Sequence, residues 1–381
     1  MKIAFIHNEK KIGTGAHYIN DLMSQKLTSS KIDTKNFYPK TSLIETPVHL
    51  SGIKNILFFY SLLEKRKEIL KYDLIQGTTY TSLPFLAYSI PVVAHFGSTT
   101  RGFLDSTPRA SQMENGCRKI WYKLKKDGAI SELNIKTRKP MRDIADVEEY
   151  VASKASAVIA TSENVRRELL LMGTKTENVY LIHNAIEDYW FETTINKDLP
   201  TPKIVFLGRL GNDSFTLKLK GLDRLIYLWQ KFPMIEKVCL AITTNKTLIE
   251  YLKSNISKLT LEVNIKKDNL PEKLLSLRGS ILFISSRYEG FSLSLIEGMS
   301  QGLIPIAYSV GVVPEIIHNG KNGFIVSSVS EAAEKVNEIM NNKKLRESMS
   351  DEAIKTSKQF SSEKITKELI ALYKKVITAS S

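Results

Sequence analysis

The sequence predicts an α/β protein of two doubly wound domains facing each other across a cleft. Three observations predict it. Apolar strand-like runs alternate with helix-like segments over most of the chain, the pattern of a parallel sheet covered by helices on both faces. A polar, proline-punctuated stretch at 192–202 interrupts the alternation, and the same pattern restarts after it. The length, 381 residues, is more than one hydrophobic core usually organises. The expected division is 1–190 and 191–360, with a last helix at 361–381 packing back on the first domain.

Residues 2–7 read as a short buried strand, followed by a glycine turn, Gly13-Thr14-Gly15. Helical periodicity then begins at Ile19, Leu22, Met23 and Leu27. Strand, glycine turn and helix is how a Rossmann-like half opens. Further strands are expected at 73–76, 91–95, 157–160 and 179–182. In the second half, strands are expected at 203–207, 238–243, 281–285, 304–308 and 323–326. Helices are expected at 222–231 and 293–301, with a helix start at 314–318 and a charged helical tail over 330–377. Ligands of such sheets bind at the carboxyl ends of the strands.

Composition narrows the classes. Apolar residues are 43% and charged residues 25%, ordinary for a globular protein and unlike disordered or fibrous chains. Cys117 and Cys239 lie far apart, which excludes a disulfide framework or a zinc spacing and fits a reducing compartment. Residues 3–6 are too short for a signal-peptide core, and no stretch approaches the ~18 apolar residues of a membrane span. A cytoplasmic protein, at most peripheral on the inner membrane face, is expected. Net charge is +14, with +7 on each side of Asp188. The stretch 118–142 holds Arg118, Lys119, Lys123, Lys125, Lys126, Lys136, Arg138, Lys139 and Arg142 against only Asp127 and Glu132. It is either a solvated basic face or a patch for phosphate-rich partners, namely anionic lipid, nucleic acid or nucleotide substrates, and in the second reading it is expected to dock its domain on an anionic membrane or an acidic acceptor. Aromatic–basic interleaving does not extend beyond Trp121 and Tyr122, so nucleic acid is not the expected partner.

Four constellations are candidates for chemistry. In the first, a strand ends in a serine-rich turn and a helix begins near Ser292. The amides of Phe291, Ser292, Leu293 and Ser294 then lie at a helix N-terminus, where free donors and the dipole bind phosphate. Glu289 precedes that helix, and Glu297 lies inside it, about 10 Å along the axis. Carboxylates so placed can accept hydroxyls from different sugar rings, although a dipole-serving Glu and a surface ion pair explain the spacing as well. In the second, Arg209 leaves the end of a strand and Lys220 precedes a helix; both can meet a diphosphate, one with a forked contact and one as a point charge. The third is Gly13-Thr14-Gly15, which lacks full dinucleotide spacing and is equally a tight turn or a place where backbone approaches phosphate. The fourth is His95, at a strand's carboxyl end before Phe96 and Gly97, where a neutral imidazole can bond a sugar hydroxyl. The sequence has no Asp-x-Asp clamp, no His-x-x-x-His zinc site, no Walker loop and no Gly-x-Ser-x-Gly elbow.

The order of these motifs resembles the retaining GT-B glycosyltransferases of family 4. Glu289 and Glu297 match the E-x7-E motif of that family, Gly208-Arg209-Leu210 and Lys220-Gly221 its phosphate-binding Arg and Lys, and Gly311-Val312-Val313-Pro314-Glu315 with Asn319-Gly320-Lys321-Asn322-Gly323 its closing segment. Residues 157–167 and the turn Ile182-His183-Asn184-Ala185 also resemble family segments. The resemblance implies a GT-B architecture of two Rossmann-like domains. It implies that Glu289 holds donor-sugar hydroxyls, Glu297 the ribose hydroxyls, and Arg209 and Lys220 the diphosphate. It implies that Phe291 to Ser294 add amide donors, that Gly13 and Gly15 are the glycine loop, and that His95 touches the donor sugar. It further implies transfer with retention, from a nucleoside-diphosphate sugar with UDP favoured, with no bound metal or cofactor. The acceptor is expected to be a bacterial surface glycan, glycolipid or glycoprotein. A nucleotide-sugar epimerase or hydrolase of the same fold is the alternative. Ala185, His183 and Gln76-Gly77-Thr78-Thr79 depart from the family pattern, as does the long insert between Leu210 and Lys220, which carries Lys218.

Overall fold

The computed structural model describes residues 1–8, 16–40, 52–135, 138–194 and 199–380. Among these, the strands form two all-parallel six-stranded sheets. The first contains β1 (Lys2–Ile6), β2 (Asp33–Phe37), β3 (Leu74–Thr78), β4 (Val92–Phe96), β5 (Ala157–Ala160) and β6 (Val179–Leu181), in the order β2-β1-β3-β4-β5-β6. The second contains β7 (Ile204–Arg209), β8 (Lys237–Ile242), β9 (Leu259–Val263), β10 (Ile281–Ile284), β11 (Ile304–Tyr308) and β12 (Phe324–Val326), in the order β12-β11-β10-β7-β8-β9. Central strands such as β4 and β10 are buried at every position, as a parallel sheet covered on both faces requires.

The strand order of the second sheet reverses between β7 and β10, which are paired neighbours. From this junction successive strands are added outward in both directions. A reversal of this kind leaves a crevice at the carboxyl ends of the two strands, where the loops that follow β7 and β10 lie.

Two strands were not expected from sequence. β2 and β9 are outer strands of their sheets, and each is largely exposed or half-buried. Their polar sequences, DTKNF and LTLEV, reflect that position.

The chain divides into two units. One holds Met1–Leu104, Thr137–Glu187 and Phe360–Ser381; the other holds Asp105–Lys136 and Asp188–Gln359. In the first unit, the last helix, Ser362–Ser380, packs on the helix Ala16–Ser29. The Tyr373 hydroxyl donates to Gln76 of β3, whose amide donates in turn to Asn20 at 3.2 Å.

The segment Asp105–Lys136 corrects the expected division, which assigned it to the first domain. Its helix Asn115–Lys126 buries Cys117, Ile120, Trp121 and Leu124 in one core with Leu225, Ile226 and Trp229 of the helix Leu222–Lys231. The helices approach so closely that a Cβ on Gly116 would lie 2.3 Å from the Tyr227 ring. Lys218, the extra cation of the insert, is buried and faces this segment. Its ammonium donates to the Pro108 carbonyl at 3.1 Å and to Asn134 Oδ1 at 2.8 Å. The basic stretch 118–142 is accordingly split between the two units.

Trp121 is the largest buried side chain tying this segment down, and its indole donates to the Leu133 carbonyl. Trp121→Ala should lower unfolding stability by about 3–5 kcal/mol. It should also open a protease site within 105–136, read by urea unfolding and limited proteolysis.

Candidate active site

Two loops of the second unit meet at the crevice between β7 and β10. The first leaves β7 at Arg209, forms the short helix Ser214–Leu219 capped by Asp213, and ends at Lys220 and Gly221. Gly221 has φ +65°, and a Cβ there would stand 1.9 Å from the Ser285 carbonyl oxygen, so only glycine lets the backbone pass. The second loop leaves β10 through Ser285, Ser286 and Arg287. Ser285 Oγ donates to the Lys220 carbonyl at 2.8 Å, and the Arg287 amide donates to the Leu219 carbonyl at 2.7 Å. Arg287 also forks onto buried Asp223, with Nη1 to Oδ1 at 2.7 Å and Nη2 to Oδ2 at 2.6 Å. Paired planar groups of this kind fix geometry in two directions.

On this laced base, Lys220 Nζ donates to Glu289 Oε1 at 2.6 Å, and Ser286 Oγ donates to the same oxygen at 2.6 Å. The carboxylate is thus oriented by a cation from one loop and a hydroxyl from the other. After Glu289 the chain turns sharply into the helix Leu293–Ser300. Ser292 takes a left-handed backbone, φ +88°, an arrangement that costs a residue other than glycine about 1–3 kcal/mol. Gly311, at φ +53°, supports the turn from outside. A Cβ there would lie 2.8 Å from the Phe291 carbonyl oxygen, and the Val312 amide donates to that same oxygen.

This geometry aims the amides of Leu293 and Ser294, first in the helix and without intrahelical acceptors, beside the Glu289 turn. The Ser292 hydroxyl is buried and has no hydrogen-bond partner among the described residues. Free donors at a helix start with an unused buried hydroxyl form a place for an oxyanion. Glu297 is 7% exposed and pairs with Lys267 at 3.2 Å, a cation delivered by the loop after β9. Arg209 is exposed at the end of β7 and forms no ion pair among the described residues.

Of the residues singled out from sequence, the structure brings Lys220, Glu289 and the 291–294 turn together. Arg209 stands at the end of the adjoining strand, and Glu297 in the same helix is paired with Lys267. Gly13 and Gly15 lie outside the described residues. Sequence reasoning missed Lys267, the strained Ser292 and the Arg287–Asp223 fork. Arg287 was visible inside the motif, but its partner lies 64 residues away. Among the described residues, no three His, Cys, Asp or Glu side chains gather as a metal site.

His95 belongs to the first unit. It lies in β4, 4% exposed, paired across the sheet with Thr78 and Ile159. Burial pulls its pKa down to about 4, offset in part by the Asn184 side chain, so the ring is neutral at pH 7. A lowered folded pKa means that the unfolded chain binds the proton first as pH falls. Stability is therefore lost between about pH 6.5 and 4. His95→Gln should flatten that part of the stability–pH profile, measured by urea unfolding across the range.

Residues 192–356 match the family described as Glycosyl transferases group 1. A relative from Methanocaldococcus jannaschii, described as an uncharacterised glycosyltransferase, is 30% identical over 243 residues. The match spans 60% of this chain and 62% of that relative, so the chain covers about three fifths of its length. Among solved structures, the fold is similar to sucrose-phosphate synthase from Thermosynechococcus elongatus, with TM-score 0.75, 16% identity and 99% of each chain covered. It is also similar to Anabaena HepE in complex with UDP and glucose, with TM-score 0.69, 14% identity, and 98% of this chain and 100% of that one covered. The chain has the GT-B fold, and its residues 192–356 are similar to the family described as Glycosyl transferases group 1.

Proposed function

We propose that this chain is a retaining glycosyltransferase that moves a sugar from a nucleoside-diphosphate sugar, with uridine the favoured base, to a bacterial surface glycan, glycolipid or glycoprotein. The observation that carries the reading is the Lys220–Glu289 contact of 2.6 Å at the point where the strand order of the second sheet reverses. HepE, similar in fold, was solved with UDP and glucose, which favours a uridine donor.

In this reading Glu289 holds hydroxyls of the donor sugar and Glu297 those of the ribose. The diphosphate lies against the amides and hydroxyl at Phe291, Ser292, Leu293 and Ser294, with Lys220 and Arg209 beside it. As the glycosidic bond breaks, negative charge grows on the leaving phosphate, and these fixed donors stabilise it with no metal required. A leaving phosphate oxygen takes the acceptor's proton, and attack from the same face preserves the anomeric configuration.

No helix among the described residues is long and apolar enough to cross a membrane. The helix Asn115–Lys126 presents Lys119, Tyr122, Lys123 and Lys126 to solvent at helical spacing. That face supports a peripheral contact with an anionic membrane.

Lys220→Ala should lower kcat by about 10²–10³-fold with the fold intact, and Glu289→Ala should abolish transfer, both read with a panel of UDP-, GDP- and ADP-sugars. Full activity of the folded Glu289 variant would remove it from the site. Efficient donor turnover without acceptor would favour the epimerase or hydrolase reading. Reversing Lys119, Lys123 and Lys126 to Glu should abolish co-sedimentation with vesicles rich in anionic lipid; unchanged co-sedimentation would refute the membrane contact.

A further inference from the structure

A cavity of about 400 Å³ lies beside the candidate active site, where β10, β11 and β12 end. Its lining includes Arg224, Arg287, Tyr308, Ser309, Ser327 and Glu331, none of which has a part in the proposed transfer. The charges there are not equally satisfied. Arg287 is neutralised by the fork to Asp223. Glu331 accepts the Ser327 amide at 2.7 Å and its hydroxyl at 2.8 Å, and Lys335 lies near it. Arg224 forms no ion pair among the described residues. Its guanidinium carbon lies over the Tyr308 ring, 3.7 Å from the centroid, and Nη1 donates to the backbone carbonyls of Ser285 and Ser286 at 3.4 and 3.2 Å.

Tyr308 carries the second unmet demand. The residue is 5% exposed, and its hydroxyl has no hydrogen-bond partner among the described residues. A buried hydroxyl left unpaired is destabilising. Burial, and then the charge of Arg287, push the Arg224 guanidinium below its usual pKa. Two guanidiniums, an unused phenol and two serine side chains thus border one cavity, and the local carboxylates are already engaged. The volume exceeds that of an inorganic ion and falls in the range of small-molecule sites.

We propose that this cavity is a second, separate site for a small molecule bearing an oxyanion, a phosphate or a carboxylate, with Arg224 as its charge partner and the Tyr308 hydroxyl as a further donor. The guanidinium fork suits either group. Arg224 holds the carbonyls of Ser285 and Ser286, and the Ser286 hydroxyl holds Glu289, so an occupant shares a backbone turn with the transfer site.

The test is calorimetric titration of inorganic phosphate, and separately of acetate, into the Lys220→Ala protein, where anion binding at the transfer site is weakened. Saturable binding is expected, and adding Arg224→Gln should weaken it at least tenfold. Ser309→Glu, at an exposed position on the rim, should do the same without disturbing the Arg224–Tyr308 stack, and it carries the test if the arginine variant does not fold. Binding of phosphate alone assigns the site to phosphate esters, and of acetate alone to carboxylates. Absence of saturable binding by either anion, or binding that neither second substitution weakens, overturns the proposal.

Discussion

Everything at the candidate site depends on one backbone contact, Gly221 against the Ser285 carbonyl. No side chain fits there, because a Cβ would come within 1.9 Å of the oxygen. The contact brings the loop after β7 onto the loop after β10, and the bonds from Ser285 and Arg287 then lock the two together. Lys220 and Glu289 are distant in sequence and lie on separate loops, yet they meet at 2.6 Å because both stand on this junction. The parallel sheet supplies the junction: β7 and β10 are paired neighbours at the point where the strand order reverses, so the loops that leave them start side by side.

The turn after Glu289 shows how the fold accommodates a locally unfavourable arrangement. Ser292 adopts a conformation better suited to glycine, and among the described residues its buried hydroxyl has no hydrogen-bond partner. Surrounding backbone holds it in place, notably Gly311 and Val312 against the Phe291 carbonyl. Backbone strain held by rigid surroundings clusters at functional sites. At the Arg224–Tyr308 cavity, a guanidinium without an ion pair among the described residues takes the place of strained backbone.

Much of this was legible in the sequence. Buried parallel strands write themselves as short apolar runs, so β1, β3 to β8 and β10 to β12 could be placed. β2 and β9 could not, because an outer strand is only half covered and its composition resembles a loop. The segment Asp105–Lys136 was hidden by its charge. Cys117, Ile120, Trp121 and Leu124 recur at helical spacing and mark a buried stripe, but nothing local says which core receives it. Glu289, Lys220 and the helix start were legible from residue type and order. The left-handed Ser292 and the Arg287–Asp223 fork were not, since both arise from tertiary packing rather than local preference.

In the proposed function, the 289–294 turn and Lys220 cradle a nucleoside diphosphate. A crystal structure of the protein soaked with UDP tests it most directly. The distal phosphate is expected within hydrogen-bonding distance of the Leu293 and Ser294 amides and of Lys220 Nζ. UDP bound in full occupancy elsewhere, with the Ser292 turn left empty, would contradict it.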